Sequence, residues 1–120
     1  MSWSFILIIG LVWIVILGLK RLGLVSAAEA RKHLMTGALV VDVRTVEEFK
    51  AGHLAGAMNI PLGELQNTIS HTVADKNQIL LLHCLSGTRS GIARRMLRGL
   101  GYQNVFNLGS YGRAQRIVGQ

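Results

Sequence analysis

The first hydrophobic pattern along the chain is an unbroken apolar run, Trp3 to Leu19, which contains no ionisable side chain. As an α-helix this run would span about 26 Å, slightly less than the roughly 30 Å hydrocarbon core of a bilayer. Lys20 and Arg21 follow the run, and both side chains are long enough to reach the membrane interface. The run therefore predicts a single-pass transmembrane helix.

Basic residues near the end of this run set the expected orientation. Lys20, Arg21, Arg31 and Lys32 all follow it, so the positive-inside rule places the rest of the chain in the cytoplasm, at a bacterial-type inner membrane. The alternative is a cleaved signal peptide and a periplasmic domain, because residues 25–27 (VSA) resemble a small-residue cleavage site. We favour a retained anchor, because no Lys or Arg precedes the apolar run.

Beyond residue 22 the pattern alternates between short apolar runs of strand length and segments of helical period. Two capping boxes open helices, Ser26 with Glu29 and Thr45 with Glu48. The expected strands are 38–43, 55–60, 78–83 and 104–108, and the expected helices are 27–36, 45–52, 62–73, one ending at Gly101 and one after Ser110. Strands alternating with helices predict an α/β domain over 23–120, with a mainly parallel sheet and helices on both faces, preceded by a transmembrane anchor over 1–22.

Charged residues are distributed unevenly along the chain. The formal net charge is +7, and no Asp or Glu occurs after Asp75, whereas six arginines follow Cys84. This distribution favours small anions or an anionic membrane surface as partners. Nucleic acid is not expected, because aromatic residues do not interleave with the basic ones. The single cysteine excludes an intrachain disulfide and is compatible with either a reducing or an oxidising compartment.

The candidate chemistry lies in residues 80–91, LLLHCLSGTRSG, where a buried strand ends at Cys84. A loop that leads from a strand into a helix turns backbone N–H groups inward and forms an anion nest at the helix N-terminus. Gly87 permits the tight path, Ser86 and Thr88 offer hydroxyl donors, and Arg89 adds a positive charge. These groups favour a thiolate, so Cys84 is predicted to be a nucleophile with a lowered pKa. The alternative is a buried structural thiol.

None of the histidines is expected to act in catalysis or to bind a metal. His83 precedes the cysteine in a strand, where consecutive side chains point to opposite faces, so a buried histidine is favoured over a general base. His33, His53 and His71 have no metal-ligand spacing with Cys84, and neither a metal site nor a cofactor is expected.

With its motifs VVDVRTVEEFKAGHLAGAMNIPL and CLSGTR, the segment from Ser26 to about Val118 resembles the rhodanese (thiosulfate sulfurtransferase) family. The resemblance implies a rhodanese-like α/β fold and a catalytic Cys84 that takes the outer sulfur of a thiosulfate-like donor as a persulfide. A thiol or cyanide would then accept that sulfur. The loop amides of Leu85, Ser86, Gly87, Thr88 and Arg89 would bind the donor.

Further expectations concern individual positions and rival functions. Arg44 is expected to pair with Glu47 or Glu48, and contact with the donor anion is the alternative. Asp42 is expected to order a loop, and His53 to be structural. Related phosphatases have five residues between the cysteine and arginine, whereas this chain has four, which favours sulfur transfer. The alternatives are a noncatalytic, membrane-tethered docking or anion-sensing module and a redox or arsenate-handling enzyme. Ser110 replaces one of two glycines usual in the family, which affects the rim of the site.

Overall fold

The computed structural model describes residues 2–119, apart from the side chains of residues 19–22. Met1 and Gln120, the outer ends of the two predicted segments, lie outside the described residues. The helices are α1 (Trp3–Leu22), α2 (Ala27–Met35), α3 (Val46–Ala51), α4 (Leu62–Thr72), α5 (Thr88–Gly99) and α6 (Tyr111–Val118). The strands are β1 (Leu39–Asp42), β2 (Met58–Asn59), β3 (Leu80–His83) and β4 (Val105–Gly109).

The strands form one parallel sheet in the order β2-β1-β3-β4. Its two central strands are short and mainly apolar, and all their residues except the half-buried Leu39 are buried, as is typical of parallel sheets covered on both faces. Leu24 adds a parallel bridge to Asn107 of β4, so the segment between α1 and α2 is tied to the sheet edge and is not a free linker. The predicted α/β fold with a central parallel sheet is confirmed.

Side chains alternate along the strands and divide the core into two halves. Leu80, Leu82 and Cys84 face a cluster formed with α4 and α5, whereas Leu81 faces a cluster formed with α2 and α6. This alternation follows from the period of two in a strand. Helices therefore cover both faces of the sheet, and Cys84 lies on the α5 side.

Local capping signals place the helix starts. The Thr45 hydroxyl accepts a hydrogen bond from the backbone N–H of Glu48, and the Glu48 side chain accepts one from the N–H of Thr45, which completes the predicted capping box. The Ser26 hydroxyl accepts a hydrogen bond from the N–H of Glu29 in the same way and starts α2. Both helices thus begin where the sequence pattern predicted.

The expected membrane anchor is wrong. Among residues 2–119, none of the helices combines the length and the apolar character needed to cross a membrane. α1 has 20 residues and includes Lys20 and Arg21 near its end. The transmembrane helix, the membrane contact over residues 3–19 and the single-pass placement, with its cytoplasmic or periplasmic alternatives, are therefore withdrawn. The division of the chain after residue 22 stays a prediction.

Candidate active site

The candidate site lies at the carboxyl ends of the two central strands, where parallel sheets commonly bind ligands. Asp42 at the end of β1 is in register with His83 at the end of β3, and His83 is in register with Gly109 of β4. Cys84 follows His83 directly, and its backbone N–H donates to the carbonyl of Gly109 at 3.3 Å. The sheet therefore brings the ends of three strands together around the cysteine.

The Cys84 sulfur lies in a cradle of hydrogen-bond donors. Cys84 is fully buried, and its Sγ accepts a hydrogen bond from the backbone N–H of Gly87 at 3.0 Å and one from the Ser90 hydroxyl at 3.4 Å. Burial alone would raise the pKa of the thiol, but the Ser90 hydroxyl and the N–H groups of Ser90, Gly87 and Ser86 together outweigh it. The pKa of Cys84 therefore lies below its ordinary value, which agrees with the predicted thiolate.

Gly87 sets the path of the loop that carries these donors. Its φ is +99°, in the left-handed region that favours glycine, and a Cβ there would lie 3.2 Å from the Cα of Gly109. The neighbouring β4–α6 segment holds the loop: the Tyr111 N–H donates to the carbonyl of Leu85 at 3.1 Å. The Asn107 side chain donates to the carbonyl of Gly87 at 3.1 Å.

The predicted hydroxyl donors are only partly the ones that the structure presents. Ser86 and Thr88 are exposed, and Ser86 acts on the sulfur through its backbone N–H. Ser90 was missed by the sequence analysis, although its buried hydroxyl is the side chain that reaches Sγ. Its position in the first turn of α5, on the side of the helix that faces the core, is a signal that could have identified it.

Arg89 is not a free cation, because its guanidinium pairs with Glu48 of α3. The Nη1–Oε1 and Nη2–Oε2 distances are 2.6 and 3.0 Å, a bidentate geometry. The hydrogen bond from Arg89 lowers the pKa of Glu48 to about 2. The same bond, followed by the charge of Glu48 and then that of Cys84, raises the pKa of Arg89. The site therefore contains a balanced ion pair beside the sulfur.

The predicted pairing of Arg44 with Glu47 or Glu48 is wrong. Arg44 donates from Nε and Nη2 to the Asp42 carboxylate, at 3.0 and 2.7 Å for Oδ2, and Nη2 also donates to the carbonyl of Gly52. Asp42 is fully buried and also accepts from the Arg44 N–H at 2.9 Å, so it orders this turn as expected. Arg44 binds Asp42 because the two lie two residues apart in one tight turn, whereas Glu48 is taken by Arg89.

His83 lies on the opposite side of the strand from the cysteine sulfur, as expected. It is fully buried, its Nδ1 is 3.3 Å from the carbonyl of Cys84, and its ring lies 5.8 Å from that of Tyr111. Its Nε2 is 3.7 Å from Asp42 Oδ2 and has no hydrogen-bond partner among the described residues. Burial lowers the pKa of His83, so the ring is held neutral.

His53 also has a structural environment. Its ring stacks on Phe49 at a centroid distance of 3.7 Å, and its Nδ1 lies 2.9 Å from the carbonyl of the same residue. Both contacts join one end of α3 to the loop that follows it, in agreement with the structural interpretation of this position.

Comparison with known proteins identifies the family. Residues 26–112 match the family model described as the rhodanese-like domain, and the chain belongs to this family. The predicted rhodanese resemblance is thereby confirmed. The anchor that was joined to it is not supported.

Relatives include thiosulfate sulfurtransferase PspE of Escherichia coli (strain K12), 41% identical over 69 residues, which are 58% of this chain and 66% of the relative. Thiosulfate sulfurtransferase GlpE of Ectopseudomonas mendocina (strain ymp) is 32% identical over 84 residues, covering 70% of this chain and 75% of the relative. The solved structure of human single domain sulfurtransferase TSTD1 has a TM-score of 0.67 and 30% identity, covering 78% of this chain and 96% of that one. Across three curated relatives, the chain spans 36% to 66% of the relative's length.

Proposed function

We propose that this chain is a sulfurtransferase that carries a sulfane sulfur on Cys84. The observation that carries the proposal is the cradle of donors around Sγ, with the Gly87 N–H at 3.0 Å and the Ser90 hydroxyl at 3.4 Å. These donors stabilise negative charge on sulfur both in the thiolate and in a persulfide. The names of PspE, GlpE and TSTD1 support the same reaction class.

The proposed first step is attack of the Cys84 thiolate on the outer sulfur of a thiosulfate-like donor. A new S–S bond forms to Sγ, the S–S bond of the donor breaks, and sulfite leaves with the electron pair of that bond. No proton is transferred to or from the thiolate or the donor in this step. The site is consistent with this, because the neighbouring histidine, His83, is buried and neutral. Covalent catalysis of this kind divides one transfer into two easier steps.

In the second step an acceptor nucleophile, cyanide or a thiol, attacks the outer sulfur of the persulfide, and Cys84 leaves as a thiolate. The chain has one cysteine, so the persulfide has no partner thiol in the same chain with which to form a disulfide. The sulfur must therefore pass to an external acceptor. No metal or cofactor is needed in either step.

Donor binding is assigned to the loop from Leu85 to Arg89. Its N–H groups at the start of α5 offer a nest for the sulfite oxygens, and the helix N-terminus favours negative charge there. Arg89 adds a cation next to this nest, although its guanidinium is shared with Glu48. The short loop, with four residues between Cys84 and Arg89, supports a sulfur atom as the transferred group more than a tetrahedral phosphate.

The test uses the full chain with thiosulfate and cyanide. We expect thiocyanate from the wild type but not from Cys84→Ser, and before cyanide is added an intact mass increased by one sulfur atom. A folded, reduced wild-type chain that neither gains sulfur from thiosulfate nor forms thiocyanate would contradict the proposal and favour the noncatalytic module. Phosphate-ester hydrolysis that disappears in Cys84→Ser would instead favour a phosphatase.

A further inference from the structure

The position of Glu48 raises a question that the sulfur-transfer reaction leaves open. An anionic donor would be expected to use Arg89, but both terminal nitrogens of that guanidinium are already bound to the Glu48 carboxylate, at 2.6 and 3.0 Å. A bidentate pair of this kind matches the geometry that an oxyanion of the donor would itself adopt. Glu48 thus occupies the place on Arg89 that the substrate would take.

Glu48 is held in this position by its own helix. Its Oε1 also accepts hydrogen bonds from the N–H and the hydroxyl of Thr45, each at 3.2 Å, as part of the capping box of α3. The carboxylate is therefore anchored on two sides and is not a mobile surface charge. Its side chain is 30% exposed and that of Arg89 is 34% exposed, so an incoming anion has access to the pair.

The charge of Glu48 persists throughout the working pH range, since Arg89 lowers its pKa to about 2. Arg89 also senses the charge of Cys84, which contributes to the rise in its own pKa. A negative charge on Glu48 therefore acts on the same cation as the thiolate and the donor. The Glu48 carboxylate therefore repels each negative charge of the donor as the donor approaches Arg89.

We propose that Glu48 is a specificity-determining residue of the sulfur-transfer site, whose carboxylate competes with the donor for Arg89 and disfavours doubly charged donors relative to singly charged ones. This inference rests on the proposed sulfurtransferase function. The two classes are inorganic thiosulfate, a dianion, and organic thiosulfonates, which are monoanions with the same transferable outer sulfur. In both cases Cys84 takes that sulfur, and the leaving group, sulfite or a sulfinate, departs with the electron pair of the broken S–S bond.

The experiment compares kcat/KM for thiosulfate and for benzenethiosulfonate, with cyanide as acceptor, in the full-length wild type and in Glu48→Gln. Glutamine keeps an oxygen acceptor for the Thr45 N–H but removes the charge. We expect the ratio of kcat/KM for thiosulfate to that for benzenethiosulfonate to rise by about fivefold, through a lower KM for thiosulfate, because the second charge of the dianion loses one repulsion. The gain should shrink as salt is added.

Glu47→Gln is the matched control. Glu47 lies next to Glu48 in the first turn of α3 and is exposed, and it forms no ion pair within residues 2–119. This variant removes the same formal charge without freeing Arg89, so the ratio should stay within about twofold of the wild-type value. An equal change in both variants would overturn the proposal, since it would reflect net charge alone.

Other results would also overturn it. If Glu48→Gln leaves the ratio unchanged or lowers it, Glu48 positions Arg89 and does not compete with the donor. If Glu48→Gln does not fold, Glu48→Asp takes its place: the carboxylate is withdrawn by one methylene, and the ratio should rise less but in the same direction. An unchanged or reversed ratio in Glu48→Asp would contradict the proposal.

A binding measurement separates this inference from the sulfurtransferase function. Thiosulfate binding is measured by calorimetry in Cys84→Ser, with and without Glu48→Gln, where no sulfur is transferred. Tighter binding of thiosulfate on loss of Glu48 supports the inference even if the wild type shows no turnover, a result that would refute only the proposed function. Turnover in the wild type with unchanged or weaker thiosulfate binding in the double variant would refute only the inference.

Discussion

The Ser90 hydroxyl offers the most direct test of how the structure lowers the pKa of Cys84. The Ser90 hydroxyl lies within hydrogen-bond distance of two acceptors, Sγ of Cys84 at 3.4 Å and the carbonyl oxygen of Gly87 at 3.2 Å. A thiolate is a stronger acceptor than a thiol, so ionisation of Cys84 strengthens the hydrogen bond to sulfur. A hydrogen bond to a charged group contributes about 1.5 to 3 kcal/mol, which corresponds to about one to two pKa units. Because the single hydroxyl proton of Ser90 is shared between sulfur and the carbonyl of Gly87, we expect Ser90→Ala to raise the pKa of Cys84 by about one unit.

The assay is the ultraviolet absorbance of the thiolate in the full chain as pH is raised, with Cys84→Ser subtracted. The chain has one cysteine, so the difference reports a single thiol. At a pH near the wild-type pKa, Ser90→Ala should also form the persulfide several-fold more slowly, and the deficit should vanish at a pH well above both pKa values.

Ser86→Ala is the control, because Ser86 acts on the sulfur through its backbone N–H, which alanine retains. Its thiol should titrate as in the wild type. An unchanged Cys84 pKa in folded Ser90→Ala, or an equal rise in both variants, would refute the assignment of Ser90 as the side-chain donor to sulfur.

Three further predictions concern stability and the loop. Burial lowers the pKa of His83, so below the ordinary pKa of 6.5 the unfolded chain binds a proton at this residue more readily than the folded chain does. Stability in urea unfolding should therefore fall as pH is lowered from about 7.5, by no more than about 1.4 kcal/mol at about pH 5.5. His83→Gln should remove most of this slope, and an unaltered slope would contradict the buried neutral ring. Gly87→Ala, at φ +99° and with its Cβ 3.2 Å from the backbone of β4, should cost about 2 kcal/mol in urea unfolding and abolish thiocyanate formation; a fully active variant would argue against the loop path. Arg44→Lys should destabilise the chain by about 2 kcal/mol by breaking the bidentate pair with buried Asp42, whereas exposed Arg95→Lys should change thermal stability by less than about 0.5 kcal/mol; equal melting shifts would refute the role of the pair.

Much of the fold follows from local sequence signals. The helices that follow Ser26 and Thr45 begin where these side chains accept hydrogen bonds from N–H groups three residues further on. The strand Leu80–His83 corresponds to a run of apolar residues in the sequence. Such signals involve only residues within one turn or one strand, so they do not depend on how the elements are arranged in space. The order of these elements along the chain in turn predicted the parallel α/β sheet.

The apolar run at the start shows where the same reasoning went too far. Hydropathy correctly predicted a helix, α1, but a helix and a membrane span are different conclusions. Within residues 2–119, none of the helices combines the length and the apolar character that a membrane span requires.

Within the site, the sequence by itself identified the candidate nucleophile, the glycine that the loop needs and the positive charge after it, because those residues lie within six positions of one another. Tertiary structure alone decided that Glu48 is the partner of Arg89, whereas for Ser90 the helix pattern carries a signal and the packing decides the contact with sulfur. Arg89 and Glu48 are 41 residues apart and meet because the sheet places α3 beside the start of α5, and Ser90 reaches Sγ because the first turn of α5 packs over the end of β3. Ion pairs and hydrogen bonds form between groups that are close in space, and no pattern along the chain records which distant groups the packing of the sheet will bring within 3 Å of one another.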